Sequence, residues 1–178
     1  MSLVIAGLKK GLLSIFFSPV GRGAMLVFCM SLCFAACQPV PHYQKNEALP
    51  HNAWNYNFKP VFTFDITDSN SFYQPYFIIR HTQAYPYNNL WLWLYIKTPG
   101  DTVATKARIN IVLADANGKW LGRGMGEIYE QRMPFSLGDS VNLSKPGTYS
   151  IEMEQNMRID PLPEILHVGV RVEKVGPR

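Results

Sequence analysis

Apolar and polar residues alternate along most of the chain after position 52, and this period of two predicts β-strands. Val61–Ile66 places Phe62, Phe64 and Ile66 on one face, and Leu90–Lys97 is the strongest such segment. Further strands are predicted over residues 72–82, 106–113, 119–131, 148–153 and 165–175. Turn-forming residues separate these runs, for example Pro99-Gly100-Asp101, Asn117-Gly118 and Pro146-Gly147.

Short strands at this spacing, with no helical period of a dozen residues after Ala36, predict an all-β fold. We expect one domain over residues 53–178, an antiparallel β-sandwich of the jelly-roll type. Two predicted strands are interrupted. Pro75 indicates an edge position or a bulge in the strand over 72–82. Gly122, Gly124 and Gly126 weaken the strand over 119–131, where they allow close packing or a bulge.

The N-terminal 36 residues have the pattern of a secretory signal. Lys9, Lys10 and Arg22 precede an apolar run over 24–34, which is shorter than the roughly 20 residues of a transmembrane helix. Ala35-Ala36-Cys37 follows, and two small residues before a cysteine are typical of bacterial lipoprotein signals. Residues 1–36 are therefore predicted to be a lipoprotein signal peptide, and Cys37 is the predicted lipid-attachment site. An ordinary signal peptide or an uncleaved anchor is the alternative.

Residues 37–52 are rich in proline and lack an apolar period. We expect this segment to be an extended tether between the lipid and the domain. Two acyl chains and an amide-linked third would hold the protein stably on a membrane, because a single chain binds only marginally.

The net charge of +4 arises mostly in the signal segment, which holds three basic and no acidic residues. The remaining chain carries 14 basic and 13 acidic side chains, so its charge gives no reason to expect a nucleic-acid partner. All three cysteines lie between positions 29 and 37, so a chain that begins at Cys37 has no intramolecular disulfide.

The segment Leu90–Ile96 is apolar on both faces, which is unusual for a strand of a two-sheet sandwich. Trp91, Trp93 and Tyr95 share one face, opposite the leucines. Either the chain covers these aromatics itself, for example with Tyr85-Pro86-Tyr87, or they face a protein partner or a glycan. A protein partner is the favoured occupant of the two. The candidate surface therefore comprises Trp91, Trp93, Tyr95, Tyr85 and Tyr87.

The sequence does not predict an enzyme. The four histidines, at 42, 51, 81 and 167, form no metal-binding motif, and there is no serine elbow. Glu152 and Glu154 share a strand face and could imitate a glycosidase pair, but solvated surface carboxylates are the simpler interpretation. The glycines at 122, 124 and 126 open no helix, which argues against a phosphate loop. We expect no metal and no cofactor.

Several segments resemble the gliding motility lipoprotein GldH family of Bacteroidetes. They are the cysteine at 37, Trp54-Asn-Tyr-Asn-Phe58, the run Asn88–Leu94, Gly118–Gly126, Pro146–Arg158 and Leu162-Pro163. The resemblance implies a cell-envelope lipoprotein without catalytic residues, whose role is in the gliding and type IX secretion machinery. In a bacterium that does not glide, it would imply a secretion or envelope role instead.

The resemblance also implies the partners: a membrane through the N-terminal lipid, and other gliding or type IX secretion envelope proteins. Acidic residues directly after Cys37, which mark surface-exposed lipoproteins in this phylum, are absent, so we expect the domain to face the periplasm. The alternative function is a carbohydrate-binding lipoprotein that uses Trp91, Trp93, Tyr85 and Tyr87.

Overall fold

The computed structural model describes residues 42–135 and 143–177. This part of the chain is almost entirely β-structure, with one short 3-10 helix at Pro50–Asn52. The strands are β1 (Tyr43–Ala48), β2 (Ala53–Trp54), β3 (Val61–Ile66), β4 (Ser71–Thr82), β5 (Asn89–Lys97), β6 (Thr105–Val112), β7 (Arg123–Met125), β8 (Ile128–Pro134), β9 (Gly147–Gln155), β10 (Leu162–Pro163) and β11 (Ile165–Pro177).

Two antiparallel sheets form the sandwich. Sheet A has the order β1-β11-β4-β8-β7, and sheet C has the order β3-β9-β5-β6. Without the short β7, each sheet has four strands, and their order is the jelly-roll arrangement of two interlocking Greek keys. The predicted all-β, antiparallel sandwich is confirmed, and so is its jelly-roll topology.

The core lies between the two sheets and is built by the predicted alternation. Sheet C contributes residues of β3, β5 and β9 that are almost completely buried, and sheet A contributes residues of β4 and β11. These side chains form one continuous apolar cluster, which includes Phe62, Phe64, Ile66, Leu90, Leu92, Leu94, Ile96, Tyr149, Ile151, Met153, Phe77, Ile79, Val168, Val170 and Val172. Alternate residues of each strand point to the opposite faces of the sheets.

The structure differs from the predicted tether at residues 43–48. These residues form β1, the edge strand of sheet A, and pair with β11 from Tyr43↔Val172 to Ala48↔His167. The segment is extended as expected, but it is packed rather than free. The apolar pattern did not predict this strand, because Lys45 and Glu47 occupy the positions opposite buried valines of β11. The two charged side chains form an ion pair of 2.5 Å. Inward-facing charges of this kind discourage further strands from pairing with an edge.

The weak strand predicted over 119–131 is instead a hairpin. β7 and β8 pair antiparallel and are joined through Gly126, whose φ of 64° is favourable for glycine. Pro75 also differs from its prediction, because β4 is an inner strand of sheet A. Pro75 lies where β8 ends: β8 pairs with β4 only as far as Tyr76↔Pro134. Beyond that pair, Phe135 N–H donates to Pro75 O at 3.1 Å, and Gln74 Nε2 donates to Phe135 O at 3.1 Å in place of the missing N–H.

A third, two-stranded sheet closes one end of the sandwich. β10 pairs with β2, which places Leu162 opposite Trp54. The Trp54 side chain is fully buried, and its indole N–H donates a hydrogen bond of 2.8 Å to Phe58 O. The pairing joins the chain after β9 to the segment before β3, and both Trp54 and Leu162 pack in the core.

Candidate functional site

The outer face of sheet C carries the aromatic row predicted from β5. Leu90, Leu92, Leu94 and Ile96 are buried in the core, whereas Trp91, Trp93 and Tyr95 point outward and are half-buried. Strand β5 lies between β9 and β6, so the row runs along the middle of this face. The structure thus brings three of the five predicted aromatic residues together.

Two basic side chains of β6 lie over this row. Lys106 Nζ is 4.1 Å from the ring centroid of Trp93 and 5.1 Å from that of Tyr95. The guanidinium carbon of Arg108 is 4.3 Å from the ring centroid of Trp91 and 5.9 Å from that of Trp93. Rings and cations therefore alternate along the face in the order Trp91, Arg108, Trp93, Lys106, Tyr95. We call this arrangement the outer ladder. Such contacts stabilise by about 0.5–1 kcal/mol each at exposed sites.

A carboxylate on β9 completes the other side of the outer ladder. Glu154 Oε2 accepts a hydrogen bond of 2.8 Å from Tyr95 Oη and one of 3.0 Å from Lys59 Nζ. Burial opposes ionisation of Glu154, but these two donors outweigh it, and the pKa of Glu154 lies below its ordinary value. The same hydrogen bond raises the pKa of Lys59. The lowered pKa favours the ionised form of Glu154, which accepts both hydrogen bonds.

The loop after β9 fixes the Trp91 end. Trp91 N–H lies 3.2 Å from Met157 Sδ, and Asn156 N–H donates to Trp91 O at 2.8 Å. Gln155, which is buried, anchors the loop, because its side chain donates to Ile159 O at 3.1 Å and accepts from Met157 N–H at 2.8 Å. The backbone at the Trp91 end of the outer ladder is thus held by the loop after β9.

Tyr85 and Tyr87 do not belong to the outer ladder. Tyr85 is buried in the core, where its hydroxyl donates to Asn89 O at 2.9 Å and burial raises its pKa. Tyr87 packs edge-on against Tyr85, with the ring centroids 5.8 Å apart. The prediction that the Tyr85-Pro86-Tyr87 segment could fold over Trp91 and Trp93 is wrong, since Tyr85 turns inward. Lys106 and Arg108 cover the row instead.

His81 forms a separate aromatic cluster inside the sandwich. Its ring lies 4.5 Å from that of Trp120, and Tyr85 and Tyr129 are also adjacent. Nδ1 lies 2.8 Å from Thr82 O, while Nε2 has no hydrogen-bond partner among the described residues. Burial lowers the pKa of His81, which favours the neutral imidazole.

The other three histidines lie apart from His81. His42 Nε2 lies 2.6 Å from Asp65 O, and His51 is exposed next to β2. His167 lies on the outer face of sheet A, where burial and the nearby Arg80 lower its pKa. Within residues 42–135 and 143–177, no three His, Cys, Asp or Glu side chains are grouped closely enough to hold a metal ion.

The glycines around β7 serve close packing, as the sequence predicted. A Cβ at Gly122 would lie 2.8 Å from Glu130 O, and one at Gly124 would lie 2.9 Å from the Tyr129 ring. Beside them is a polar crevice of about 350 Å³, lined by Leu121, Gly122, Arg123, Glu130, Gln131 and Arg132. Glu130 in this crevice is already held by Arg80 at 2.6 Å and by Arg132 at 3.4 Å.

Cys37, the predicted lipid-attachment site, lies outside the described residues, as do the signal peptide and the start of the tether. In the described part of the chain, no helix has the length and apolar character required to cross a membrane.

Sequence reasoning did not identify Lys106, Arg108, Lys59 or Glu154 as neighbours of the aromatic row. A signal was present, because Lys106, Arg108 and Asn110 alternate with Ile109 and Ile111 and so had to face outward. The pairing of β6 with β5, Trp93 opposite Arg108 and Tyr95 opposite Lys106, was the missing information.

The comparisons with known proteins agree with the resemblance found in the sequence. The family model described as GldH lipoprotein matches residues 41–172. A gliding motility lipoprotein GldH homolog of Christiangramia forsetii is 29% identical over 163 residues, which cover 86% of this chain and 98% of that protein. The gliding motility lipoprotein GldH of Flavobacterium johnsoniae is 25% identical over 130 residues, covering 69% of this chain and 79% of that protein.

Among solved structures, a carbohydrate-binding module described as specific for non-crystalline cellulose aligns with a TM-score of 0.42. The two chains share 10% sequence identity, and the alignment covers 76% of this chain and 74% of the module. A likeness this distant has no bearing on function. The family match is different in kind, because it spans nearly every strand described above: the chain belongs to the GldH lipoprotein family.

Proposed function

We propose that this protein is a non-catalytic lipoprotein of the cell envelope that acts as a structural or assembly component of the gliding motility and type IX secretion machinery. The family membership supports a role in gliding motility. The observation that carries the contact role is the outer ladder on sheet C. Tryptophan, tyrosine and arginine are enriched at the energetic centres of protein interfaces, and here they form one ordered row on a rigid sheet.

The carbohydrate-binding alternative has weaker support from the geometry. A sugar ring stacks on the face of an aromatic side chain, but Lys106 and Arg108 already lie over the Trp93 and Trp91 rings. A glycan would have to displace these cations from the rings. A protein surface can instead pack against the rings and the cations together, without displacing the cations.

A contact role is also supported by the state of the ionisable groups near the row. Glu154 is held by hydrogen bonds from Tyr95 and Lys59. These interactions fix the side chains in place rather than presenting them to a substrate.

The proposal includes anchoring by lipid on Cys37, with the domain facing the periplasm. Mass spectrometry of the membrane-bound protein should find an N-terminal peptide that begins at an acylated Cys37. Protease added to intact cells should leave the domain uncut, and protease added after the outer membrane is opened should degrade it. An unmodified Cys37 would contradict the anchor, and cleavage on intact cells would contradict the orientation.

The contact role is tested by purification of the tagged, full-length protein from gently solubilised membranes. We expect other gliding lipoproteins or secretion-core subunits to be recovered, and we expect the Trp91→Ala/Trp93→Ala variant to recover at least tenfold less of them. Phe72→Ala, which truncates an exposed aromatic of sheet A, is the matched control and should bind as wild type. Circular dichroism must show that all variants remain folded. Recovery of no such protein by the wild type would overturn the proposal.

A further inference from the structure

The free edge of β6 is the candidate for a more specific interaction. β6 is the last strand of sheet C, and its one neighbour among the described strands is β5. The other edge strands are less suited to strand addition. β1 carries the inward Lys45–Glu47 pair, β7 has only three residues, and the ring of His42 lies against Asp65 O on β3.

Two hydrogen bonds establish which backbone groups of β6 point away from the sheet. Asn156 N–H donates to Trp91 O on the β9 side of β5 at 2.8 Å, so the even-numbered residues of β5 face β6, and their partners in β6 are odd-numbered, for example Leu92↔Ile109. Val112 O accepts from Gln131 Nε2 at 2.8 Å on the opposite side, so even-numbered residues face outward. Backbone direction alternates along a strand, so the outward N–H and C=O groups belong to Lys106, Arg108 and Asn110.

The same three residues place their side chains on the outer face of sheet C, beside the outer ladder. All three are exposed. Lys106 and Arg108 lie over aromatic rings, and no carboxylate of the described residues lies within ion-pair distance of either. The edge therefore combines backbone groups that no described strand pairs with and two ordered positive charges that have no ion-pair partner among the described residues.

We propose that β6 is a docking edge for an extended acidic segment of another envelope protein, which adds a strand to sheet C. The added strand would place two carboxylates, two residues apart, next to Lys106 and Arg108, at the distance of about 5 Å that separates cross-strand neighbours. This inference rests on the proposed function and names the chemistry of the partner.

The charges also explain why a second copy of this chain is not the occupant. Two β6 strands paired antiparallel edge to edge would bring the basic side chains of both copies together, and like charges on adjacent strands are destabilising. Lysine on an edge strand is a common means of preventing such self-association. An acidic strand would instead be attracted to these charges. The basic side chains of β6 therefore disfavour pairing with a second copy and favour pairing with an acidic partner.

The test uses the full-length protein in detergent micelles and a fluorescein-labelled peptide, Thr-Glu-Ile-Glu-Val-Glu-Thr. We expect the peptide to bind and to slow hydrogen exchange of the backbone amides of Lys106, Arg108 and Asn110. A peptide with lysine in place of glutamate should bind at least tenfold more weakly. An N-methylated form of the acidic peptide should also lose binding, because it keeps the charges but cannot pair with the edge.

Protein variants distinguish the contribution of the two charges to peptide binding from that of the backbone hydrogen bonds. Lys106→Glu/Arg108→Glu should weaken binding of the acidic peptide at least tenfold, whereas Lys119→Glu/Arg158→Glu, an equal change in net charge at exposed positions elsewhere, should not. Asn110→Pro removes one outward N–H without changing the charge, and should weaken binding about fivefold.

Three results would overturn the inference. The acidic peptide could bind no better than its N-methylated form, or it could bind equally well to the Lys106→Glu/Arg108→Glu variant. Alternatively, vesicles of phosphatidylglycerol could bind through Lys106 and Arg108 while the three amides exchange as in the free protein. That result would assign the two cations to a lipid surface.

The purification from membranes distinguishes this inference from the proposed function. If the Lys106→Glu/Arg108→Glu variant recovers the same envelope proteins as wild type, the docking edge is wrong and the proposed function stands. If the wild type recovers none but binds the acidic peptide as described, the proposed function is wrong and the edge keeps its specificity.

Discussion

Lys106 and Trp93 lie on adjacent strands, with Lys106 Nζ 4.1 Å from the centroid of the Trp93 ring. The two residues are not directly opposite each other, because Lys106 pairs with Tyr95 and Trp93 with Arg108. Each cation therefore lies closer to the ring that is two residues before its direct partner in β5: Lys106 to Trp93, and Arg108 to Trp91. This diagonal contact connects β6 to β5 through side chains as well as through the backbone ladder.

The diagonal contact should be measurable as a coupling energy. A double-mutant cycle with Lys106→Met and Trp93→Leu, followed by urea unfolding, is expected to give a coupling of about 0.5–1 kcal/mol. The same cycle with Lys97→Met, at the exposed end of β5, is the control and should be additive. Additivity of the Lys106 cycle would show that the ammonium and the ring do not interact in solution.

The stability of the protein should fall in mild acid because of His81. Its folded-state pKa lies below the ordinary value of 6.5, so the unfolded chain binds more protons below that pH. The free energy of unfolding therefore decreases as the pH drops below about 6.5. Urea titrations at pH 7.5 and pH 5 should show a smaller loss for His81→Leu than for wild type.

The control for His81 is His51→Asn, since His51 is exposed and asparagine tolerates its φ of 56°. This variant should be as stable as the wild type at pH 7.5, which would show that loss of an exposed imidazole is not itself destabilising. His167, whose pKa is also lowered, accounts for part of the remaining slope. An unchanged slope in His81→Leu would mean that His81 is already accessible to protons in the folded state.

A methyl group at Gly169 should weaken the attachment of β1. Its Cβ would meet the Asn46 side chain and lie 2.6 Å from Lys45 O. We expect Gly169→Ala to destabilise by about 1–3 kcal/mol, as overpacking does elsewhere. Gly176→Ala is the matched control on the same strand, where the added Cβ has nothing within 4 Å. It should be neutral or slightly stabilising. Equal thermal midpoints for both variants would contradict the close approach of β1.

The ionisation of Glu154 should depend on Tyr95. Because hydrogen bonds from Tyr95 and Lys59 hold its pKa below the ordinary value, Tyr95→Phe is expected to move the NMR titration midpoint of Glu154 upward. The related stability is present above the unfolded-state pKa and is lost as the pH falls through the folded-state value. Lys59→Met should move the midpoint in the same direction. A midpoint unmoved by both variants would show that neither donor stabilises the carboxylate.

The strands of sheet C were predictable because their side chains obey a strict period of two. β5 and β3 have the expected faces, since leucine, isoleucine and phenylalanine occupy every inward position. β1 was not predictable in the same way. Its inward positions include Lys45 and Glu47, so nothing in its apolar pattern distinguishes it from a free linker.

The sequence predicted only part of the candidate site. The common face of Trp91, Trp93 and Tyr95 follows from alternation within one strand. Which side chains lie over these rings depends on the register between β5 and β6, and a period of two does not specify that register. Tyr85 shows the same limit, because its burial beside His81 depends on contacts between distant parts of the chain.

The pairing of β1 with β11 has a consequence for how the chain reaches its folded state. β11, which ends at Pro177, lies between β1 and β4 in sheet A. β1 therefore has no partner in that sheet until β11 has left the ribosome. Pairings this distant in sequence form slowly. The attachment of β1 is thus the step of sheet A assembly that depends on synthesis of residues 165–177.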